Sequence, residues 1–155
     1  MMLTTKVRYA VMAMIDLALL QKERENKPVK LAEIAERQGI ALNYLEQIFA
    51  QLKHANLVSA VKGPGGGYVI AEKANINMAD IADAVQESVE MTRCGTEEVK
   101  GGCMPDSKKC ITHDIWEGLT RQIRAYLASI KLSDMCSKAT SRKELAEFMG
   151  KSCNH

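Results

Sequence analysis

Two amphipathic segments that meet at a glycine, followed by a glycine-rich turn, constrain the fold of this chain more than any other feature. Residues 31–38 and 41–56 both carry apolar side chains at helical spacing, and Gly39 lies in the tight turn between them. Residues 57–61 and 68–70 then resemble short strands on either side of a turn that holds four of the chain's ten glycines. Helix, tight turn, helix and hairpin in this order predict a winged helix-turn-helix.

Apolar periodicity predicts a mainly α fold around this unit, with the hairpin as a small β wing. The other predicted helices span residues 5–21, 78–87, 112–132 and 141–150. The predicted core face of the helix at 41–56 consists of Leu42, Leu45, Ile48, Phe49 and Leu52. We expect a winged-helix part over residues 1–75, a loop and a long helix of the same domain over residues 76–133, and a C-terminal tail over residues 134–155.

Length, charge and motifs narrow the class of protein. A chain of 155 residues is about one domain, and its apolar runs are shorter than the ~18 residues that a membrane helix needs. Arg8 and Asp16 interrupt the N-terminal apolar stretch, so we expect no signal peptide and a cytoplasmic protein. P-loop, GxGxxG and GxSxG motifs are absent, and we expect no enzyme. Residues 1–70 carry nine Lys and Arg against six Asp and Glu, which is compatible with a nucleic-acid partner.

The outer face of the helix at 41–56 offers side chains that can read double-stranded DNA, because the major groove admits one helix. Asn43 and Gln47 can pair with base edges, and Glu46 can accept a hydrogen bond from a cytosine amino group. Lysines and the amides of the wing can hold phosphates. The predicted DNA-binding residues are Thr4, Lys6, Asn43, Tyr44, Glu46, Gln47, Lys53, Lys62, Gly63, Gly65 and Gly66. The alternative is an ordinary pair of helices with a solvated outer face.

All five cysteines lie at or after position 94, and three of them share a glycine-rich loop with a histidine. The ligand pattern is Cys94-x8-Cys103-x6-Cys110-x2-His113. Three thiolates and one imidazole match a closed four-ligand metal site, and the spacing leaves zinc and an iron–sulfur cluster both open. Buried apolar thiols and a Cys110–His113 nucleophile–base pair are weaker alternatives, because the loop is polar and holds two further thiols. We expect Cys136 and Cys153 to be incidental.

The helix at 112–132 carries more apolar surface than a small winged helix needs. Its seam consists of Ile115, Trp116, Leu119, Ile123, Tyr126, Leu127 and Ile130. The predicted dimerisation residues are Trp116, Leu119, Ile123 and Leu127. A two-fold dimer would place two recognition helices about one DNA turn apart. The alternative is packing on the N-terminal helix, and we expect part of the seam to serve each contact.

Several stretches resemble the IscR family of iron–sulfur cluster regulators. They are residues 3–14, 31–40, 44–49 and 63–68, together with Thr92-Arg-Cys94 and Cys110-Ile-Thr-His113, and the likeness covers about residues 1–133. The resemblance implies a bacterial winged-helix transcription factor that works as a homodimer. It also implies a [2Fe–2S] cluster held by Cys94, Cys103, Cys110 and His113, with cluster-donating scaffold proteins as partners.

The same resemblance implies a regulatory scheme. The cluster-loaded form represses the operon for cluster assembly, while the cluster-free form still binds a second class of sites, and Glu46 matches the residue that distinguishes the two classes. The cysteine gaps are longer than is usual in the family. Lys62 stands where Arg is usual, and Lys lacks the flat bidentate fork that Arg presents to guanine. Asn43 and Ala41 stand where serines are common.

Three hypotheses follow from the sequence. The first is a DNA-binding regulator that senses iron–sulfur cluster status. The second is a winged-helix regulator with a structural zinc and no sensing role. The third is a regulator in which the same cysteines sense oxidants or nitric oxide directly.

Overall fold

The computed structural model of the chain describes residues 5–71, 75–85, 104 and 108–138. The elements are α1 (Thr5–Glu23), α2 (Leu31–Gln38), α3 (Leu42–His54), β1 (Val58–Val61), β2 (Gly67–Ile70), α4 (Met78–Ala84), α5 (His113–Ser129) and α6 (Leu132–Lys138). Strands β1 and β2 pair in antiparallel fashion. This architecture confirms the expected mainly α fold with a small β-hairpin wing. Across the described ranges, no helix is both long and apolar enough to cross a bilayer.

Gly39 ends α2 as the sequence predicts. Its backbone adopts the left-handed conformation, with φ of 64°, and its N–H donates to the carbonyl of Ala35. A residue with a Cβ takes this conformation at a cost, so glycine is favoured at this helix end. Ile40 follows directly and is buried, which fixes the turn that leads into α3.

The core lies where α1 meets α2, α3 and α4. On α3, four residues point into it with no exposed surface: Leu45, Ile48, Phe49 and Leu52. The prediction that Leu42 belongs to this face is wrong, because its side chain is 41% exposed. Leu42 is the first residue of α3, and Ile40 is the apolar side chain buried at that end of the helix.

The wing is attached to the rest of the fold through backbone contacts on β2. Val29 and Tyr68 exchange two hydrogen bonds, with N···O distances of 2.9 and 2.8 Å. The N–H of Ile70 donates to Oε1 of the buried Gln21 on α1, at 2.7 Å. The ring of Tyr68 packs edge-on against Phe49, with centroids 5.0 Å apart. The hairpin is therefore held against both α1 and α3.

The predicted helix at 112–132 is interrupted. Helix α5 ends at Ser129, Ile130 is extended, and α6 begins at Leu132. The cause is backbone pairing with the start of α4 and the residues before it: the Met78 N–H donates to the Ile130 carbonyl, and the Leu132 N–H donates to the Ile76 carbonyl, at 3.0 and 2.8 Å. Residues 76–78 thus bond to the Ile130 carbonyl and the Leu132 N–H, which in a continuous helix would bond to other residues of that helix.

The packing of the two C-terminal helices also differs from the expectation. Helix α5 packs on α4, and α6 packs on the N-terminal helix α1. A bidentate ion pair between Arg124 and Asp83 joins α5 to α4, with N···O distances of 2.9 and 2.6 Å. The contact with α1 that was expected of the long helix is therefore made chiefly by the short helix after the break.

Candidate DNA interface and candidate metal site

The exposed face of α3 presents a stripe of polar side chains. Asn43, Glu46, Gln47 and Lys53 are all exposed, while the opposite face is buried. Residues four apart are neighbours on a helix surface, so Asn43 and Gln47 form one contiguous pair. The geometry suits a helix that inserts into the major groove, since side chains that can hydrogen-bond to base edges lie together near its N-terminus.

Two of the predicted reading residues are partly engaged within the fold. Asn43 Oδ1 accepts a hydrogen bond from the N–H of Tyr44, at 2.9 Å. Tyr44 is half-buried, and its ring meets Tyr9 edge-on with centroids 6.1 Å apart. To pair with adenine through both its oxygen and its nitrogen, Asn43 would have to use Oδ1 for the adenine and the Tyr44 N–H at once. Otherwise it would give up the bond to Tyr44 and reorient its side chain.

The wing turn exposes Lys62, Gly63 and Gly65 to solvent. Gly63 and Gly65 have φ values of 96° and 78°, which only glycine adopts readily. The N–H of Gly66 donates to the carbonyl of Gly63 at 2.9 Å, so this amide closes the turn. Lys6 on α1 is half-buried, and Thr4 lies outside the described residues.

Cys110 and His113 are brought together at the start of α5. The His113 N–H donates to the Cys110 carbonyl at 3.0 Å, which closes a turn that leads into the helix. His113 is only 7% exposed, and Cys110 is half-buried. Cys94 and Cys103 lie outside the described residues. A thiol and an imidazole on one turn fit the donor chemistry of both zinc and an iron–sulfur cluster.

Glu117 is a neighbour of His113 that the sequence analysis missed. Its carboxylate lies 3.6 Å from His113 Nε2, 3.9 Å from Lys109 Nζ and 3.3 Å from Arg121 Nη2. His113, Asp114 and Glu117 bring one ligand atom each to within 4.8 Å of one another. The spacing of four residues between His113 and Glu117 is the signal that could have identified this pair.

Cys136 is placed on α6, half-buried against the core. Burial raises the pKa of the Cys136 thiol, and the charge of Lys22 lowers it in part. A raised pKa reduces the reactive thiolate fraction, as expected for a cysteine that packs rather than reacts. Cys153 and the predicted helix at 141–150 lie outside the described residues.

The apolar seam of α5 is divided between two faces. Ile123, Leu127 and Ile130 pack against the core of the same chain. Ile115, Leu119 and Tyr126 are 63%, 39% and 68% exposed. Trp116 is half-buried, and its Nε1–H donates to Thr112 Oγ1 at 3.2 Å. We call Ile115, Leu119 and Tyr126 the outer stripe of α5.

A recognition helix with an exposed polar stripe, supported by a core and flanked by a wing, defines a winged-helix DNA-binding regulator. The chain belongs to the Rrf2 family, described as an iron-dependent transcriptional regulator, whose model matches residues 3–138. This family consists of transcriptional regulators and not of enzymes. The expectation of a non-enzymatic DNA-binding regulator is therefore confirmed.

Individual relatives agree with this assignment. The chain is 43% identical over 156 residues to the HTH-type transcriptional regulator IscR of Klebsiella pneumoniae strain 342, covering all of this chain and 89% of that protein. It is 49% identical over 140 residues to a putative HTH-type transcriptional regulator, ORF2, of Azotobacter vinelandii, covering 90% of this chain and 81% of that protein. The resemblance to the IscR family is thereby confirmed.

Solved structures extend the comparison to the fold. The structure of T. potens IscR superposes with a TM-score of 0.70 at 35% identity, covering 90% of this chain and 88% of that one. CymR, described as the global cysteine regulator of B. subtilis, superposes with a TM-score of 0.71 at 26% identity, covering 90% and 98% of the two chains. The same fold thus occurs in IscR and in a protein described as a cysteine regulator.

Proposed function

We propose that this regulator senses iron–sulfur cluster status through a [2Fe–2S] cluster and represses cluster-assembly genes when it is loaded. The observation that carries the proposal is the backbone turn just before α5, closed by the His113 N–H and the Cys110 carbonyl, which puts a thiol next to the buried His113. Cys94, Cys103, Cys110 and His113 would hold the cluster, and scaffold proteins would donate it. When bound, the cluster supplies a signal that follows the cell's supply of iron and sulfide.

The packing of α5 suggests how such a signal reaches the wing. The backbone at the end of α5 is bonded to residues 76–78 by the Met78–Ile130 and Leu132–Ile76 hydrogen bonds. Residues 76–78 lead into α4 from the side of β2, so a shift at the ligand end of α5 can be passed along the helix to the start of α4. Residues of α3 would then meet DNA in a changed orientation, and Glu46 would select between two classes of operator.

The homodimer belongs to the same proposal, and the outer stripe of α5 supports it. Three large apolar side chains on one exposed face of a helix are typical of a self-association surface. Leu119 is the predicted dimerisation residue that lies in this stripe. Trp116, Ile123 and Leu127 are half-buried in their own chain and would contribute only at its margin.

The decisive experiment is metal and sulfide analysis with an absorbance spectrum on anaerobically purified protein. We expect a red-brown protein with about two iron and two sulfide per chain, since that is the composition of the cluster. His113→Ala should change the spectrum or lose the cluster, because it removes a ligand. His54→Ala removes an exposed histidine of α3 and should leave the spectrum unchanged. A colourless protein that also fails to take up iron and sulfide anaerobically would contradict the cluster proposal.

A structural zinc is the second candidate, and the His113–Asp114–Glu117 group favours it. This set offers one nitrogen and two carboxylate donors within 4.8 Å of one another. If zinc is bound there, the protein should retain about one zinc per chain, and Glu117→Gln should lose it. If Glu117→Gln keeps the zinc and Cys110→Ser loses it, the zinc is bound by the cysteine set instead.

DNA binding itself is tested by affinity against salt concentration. Each phosphate contact should contribute about −0.9 to the slope of log affinity on log salt. Glu46→Ala should reduce the difference in affinity between the cluster-loaded and cluster-free forms for the two operator classes. Glu36→Ala removes an exposed carboxylate of α2 and serves as the matched control. Unchanged site preferences in Glu46→Ala would contradict the role of this residue.

A further inference from the structure

We propose that Leu42 is a specificity-determining residue that contacts the C5-methyl group of a thymine in the operator. The inference rests on the proposed DNA-reading role of α3 and adds a base-specific contact to it. Leu42 is 41% exposed, although the other leucines of α3, Leu45 and Leu52, have no exposed surface. It is therefore an apolar side chain outside the core on the one helix face that is expected to meet bases.

The neighbours of Leu42 are exposed residues of α3 that are proposed to contact bases, and we call this face of α3 the reading surface. Asn43 follows it directly, and Glu46 lies one turn further along the same face. Both are exposed, and so is Ala50 one turn beyond Glu46. The small side chain of Ala50 leaves room for the helix to approach the groove floor, where Leu42 would meet base edges.

The helix geometry sets which bases the two residues can reach. Four residues of α-helix rise about 6 Å, and successive bases along one strand are about 3.4 Å apart. Along the helix axis, Leu42 and Glu46 therefore span at most about two base steps, and they would contact positions within that distance of each other. If Glu46 accepts from a cytosine amino group, the thymine read by Leu42 lies within about two steps of that cytosine.

The chemistry of the groove identifies thymine as the partner of an apolar side chain. In the major groove, the C5-methyl of thymine is the distinctive apolar group, while the other bases offer hydrogen-bond donors and acceptors there. A leucine that is exposed in the free protein buries apolar surface against this methyl on binding. Uracil keeps the hydrogen-bonding groups of thymine and lacks the methyl, so it isolates the contact.

The test begins with the full-length wild-type protein and duplexes that it selects from random-sequence DNA. Each thymine of the selected sequence is replaced by uracil in turn, and dissociation constants are measured by fluorescence anisotropy at constant salt. One thymine in each half-site should lose about fourfold in affinity on replacement, the factor expected for burial of one methyl group. Leu42→Ala should bind the thymine duplex about fourfold more weakly and should not distinguish thymine from uracil at that position.

Val61→Ala is the matched control, because Val61 is 43% exposed on β1 and lies outside α3. It should keep the wild-type response to uracil. Leu42→Ala should also lower the urea concentration at the unfolding midpoint far less than Leu45→Ala, because Leu45 has no exposed surface. If the wild type selects a sequence but no thymine responds to replacement, or if Leu42→Ala keeps the full response, this inference is overturned while DNA reading stands. If the wild type selects no sequence at all, both the inference and the proposed function fail.

Discussion

At the residue scale, Gly67, like Gly66, is needed for a reason different from that of Gly63 and Gly65. A Cβ at Gly67 would lie 2.4 Å from the Val29 carbonyl oxygen and 3.0 Å from the Lys30 nitrogen, which are backbone atoms. A Cβ at Gly65 would meet open space, and only its φ of 78° is unfavourable. The first position requires glycine for close approach of two chains, and the second requires it for conformation.

We therefore expect Gly67→Ala to lower the free energy of unfolding by about 3 kcal/mol, because the Val29–Tyr68 backbone pair must move apart. Gly65→Ala should cost only about 1 kcal/mol, the penalty of a left-handed alanine. Urea unfolding of the two variants measures the difference. If both variants lose the same free energy of unfolding, the close approach of Val29 is not what disfavours a Cβ at position 67.

Cys136 is also governed by its immediate surroundings. Burial raises the pKa of its thiol, and Lys22 on α1 opposes the shift. Because the pKa is raised in the folded state, the unfolded chain loses this proton at a lower pH. The contribution of this thiol to stability is therefore present below the ordinary thiol pKa of about 8.5 and declines as the pH rises above it.

At pH 8, iodoacetamide should modify Cys136 more slowly than a peptide thiol, as followed by mass spectrometry of the Cys136 peptide. Lys22→Gln should slow the reaction further, since it removes the charge that stabilises the thiolate. Lys27→Gln removes an exposed lysine of the loop after α1 and should have no effect. Faster labelling of Cys136 in Lys22→Gln than in the wild type would contradict the assigned electrostatics.

At the element scale, two ion pairs of similar geometry join α1 and the chain after it to α2. Arg37 on α2 donates from Nε and Nη2 to the two carboxylate oxygens of Asp16 on α1, whose side chain is completely buried. This contact raises the pKa of Arg37. Arg24 makes a similar bidentate pair with Glu33, whose two side chains are more accessible to solvent, at 40% and 32% exposed. Burial is the main difference between the two pairs.

Removal of the basic partner should therefore have unequal effects. Arg37→Met leaves the buried Asp16 unpaired and should cost about 3–5 kcal/mol of unfolding free energy. Arg24→Met should cost less than about 1 kcal/mol, as exposed pairs do. In the double variant Asp16→Leu/Arg37→Met, much of the lost stability should return. If Arg37→Met lowers the free energy of unfolding no more than Arg24→Met does, Asp16 is not left as an unpaired buried charge by the change.

At the scale of the whole molecule, the outer stripe of α5 defines the surface on which the proposed dimer depends. Ile115, Leu119 and Tyr126 recur at intervals that keep them on one exposed side of the helix, next to the face that packs on α4. A dimer formed there would connect the two ligand loops and the two recognition helices through one pair of helices. Loss of the dimer should therefore affect DNA affinity strongly, because each half-site alone gives a weak complex.

Leu119→Glu should raise the dissociation constant of the dimer by at least about a hundredfold, because it places an unpaired charge in an apolar contact. Size-exclusion chromatography with light scattering measures the mass, and operator binding should weaken in parallel. Ala128→Glu changes an exposed residue on a different face of α5 and should leave the mass unchanged. A dimeric Leu119→Glu protein would exclude this stripe as the interface.

The elements and the reading surface were largely determined by local sequence. Helical spacing on α2 and α3, Gly39 between them and the glycine run before β2 are short-range signals, and each sets a backbone conformation without help from distant residues. The residues that face outwards on α3, such as Glu46 and Gln47, follow from the same periodicity. Local periodicity did not predict three features: the break in the C-terminal helix at Ile130, the exposure of Leu42 and the contact between His113 and Glu117.

The His113–Glu117 contact is local and could have been found from its four-residue spacing, whereas the helix break and the exposure of Leu42 depend on how the elements pack. Periodicity shows which face of a helix is apolar, but not how much of that face another element covers. Leu42 has core-like spacing, and it stays exposed because α3 begins there and Ile40 is the side chain buried at that end. Ile130 leaves the helix because its backbone pairs with Met78, a partner 52 positions earlier. The sequence alone therefore determined the local elements and their polar faces, whereas the tertiary structure decided which apolar faces are covered and where the C-terminal helix breaks, because these depend on contacts between distant segments.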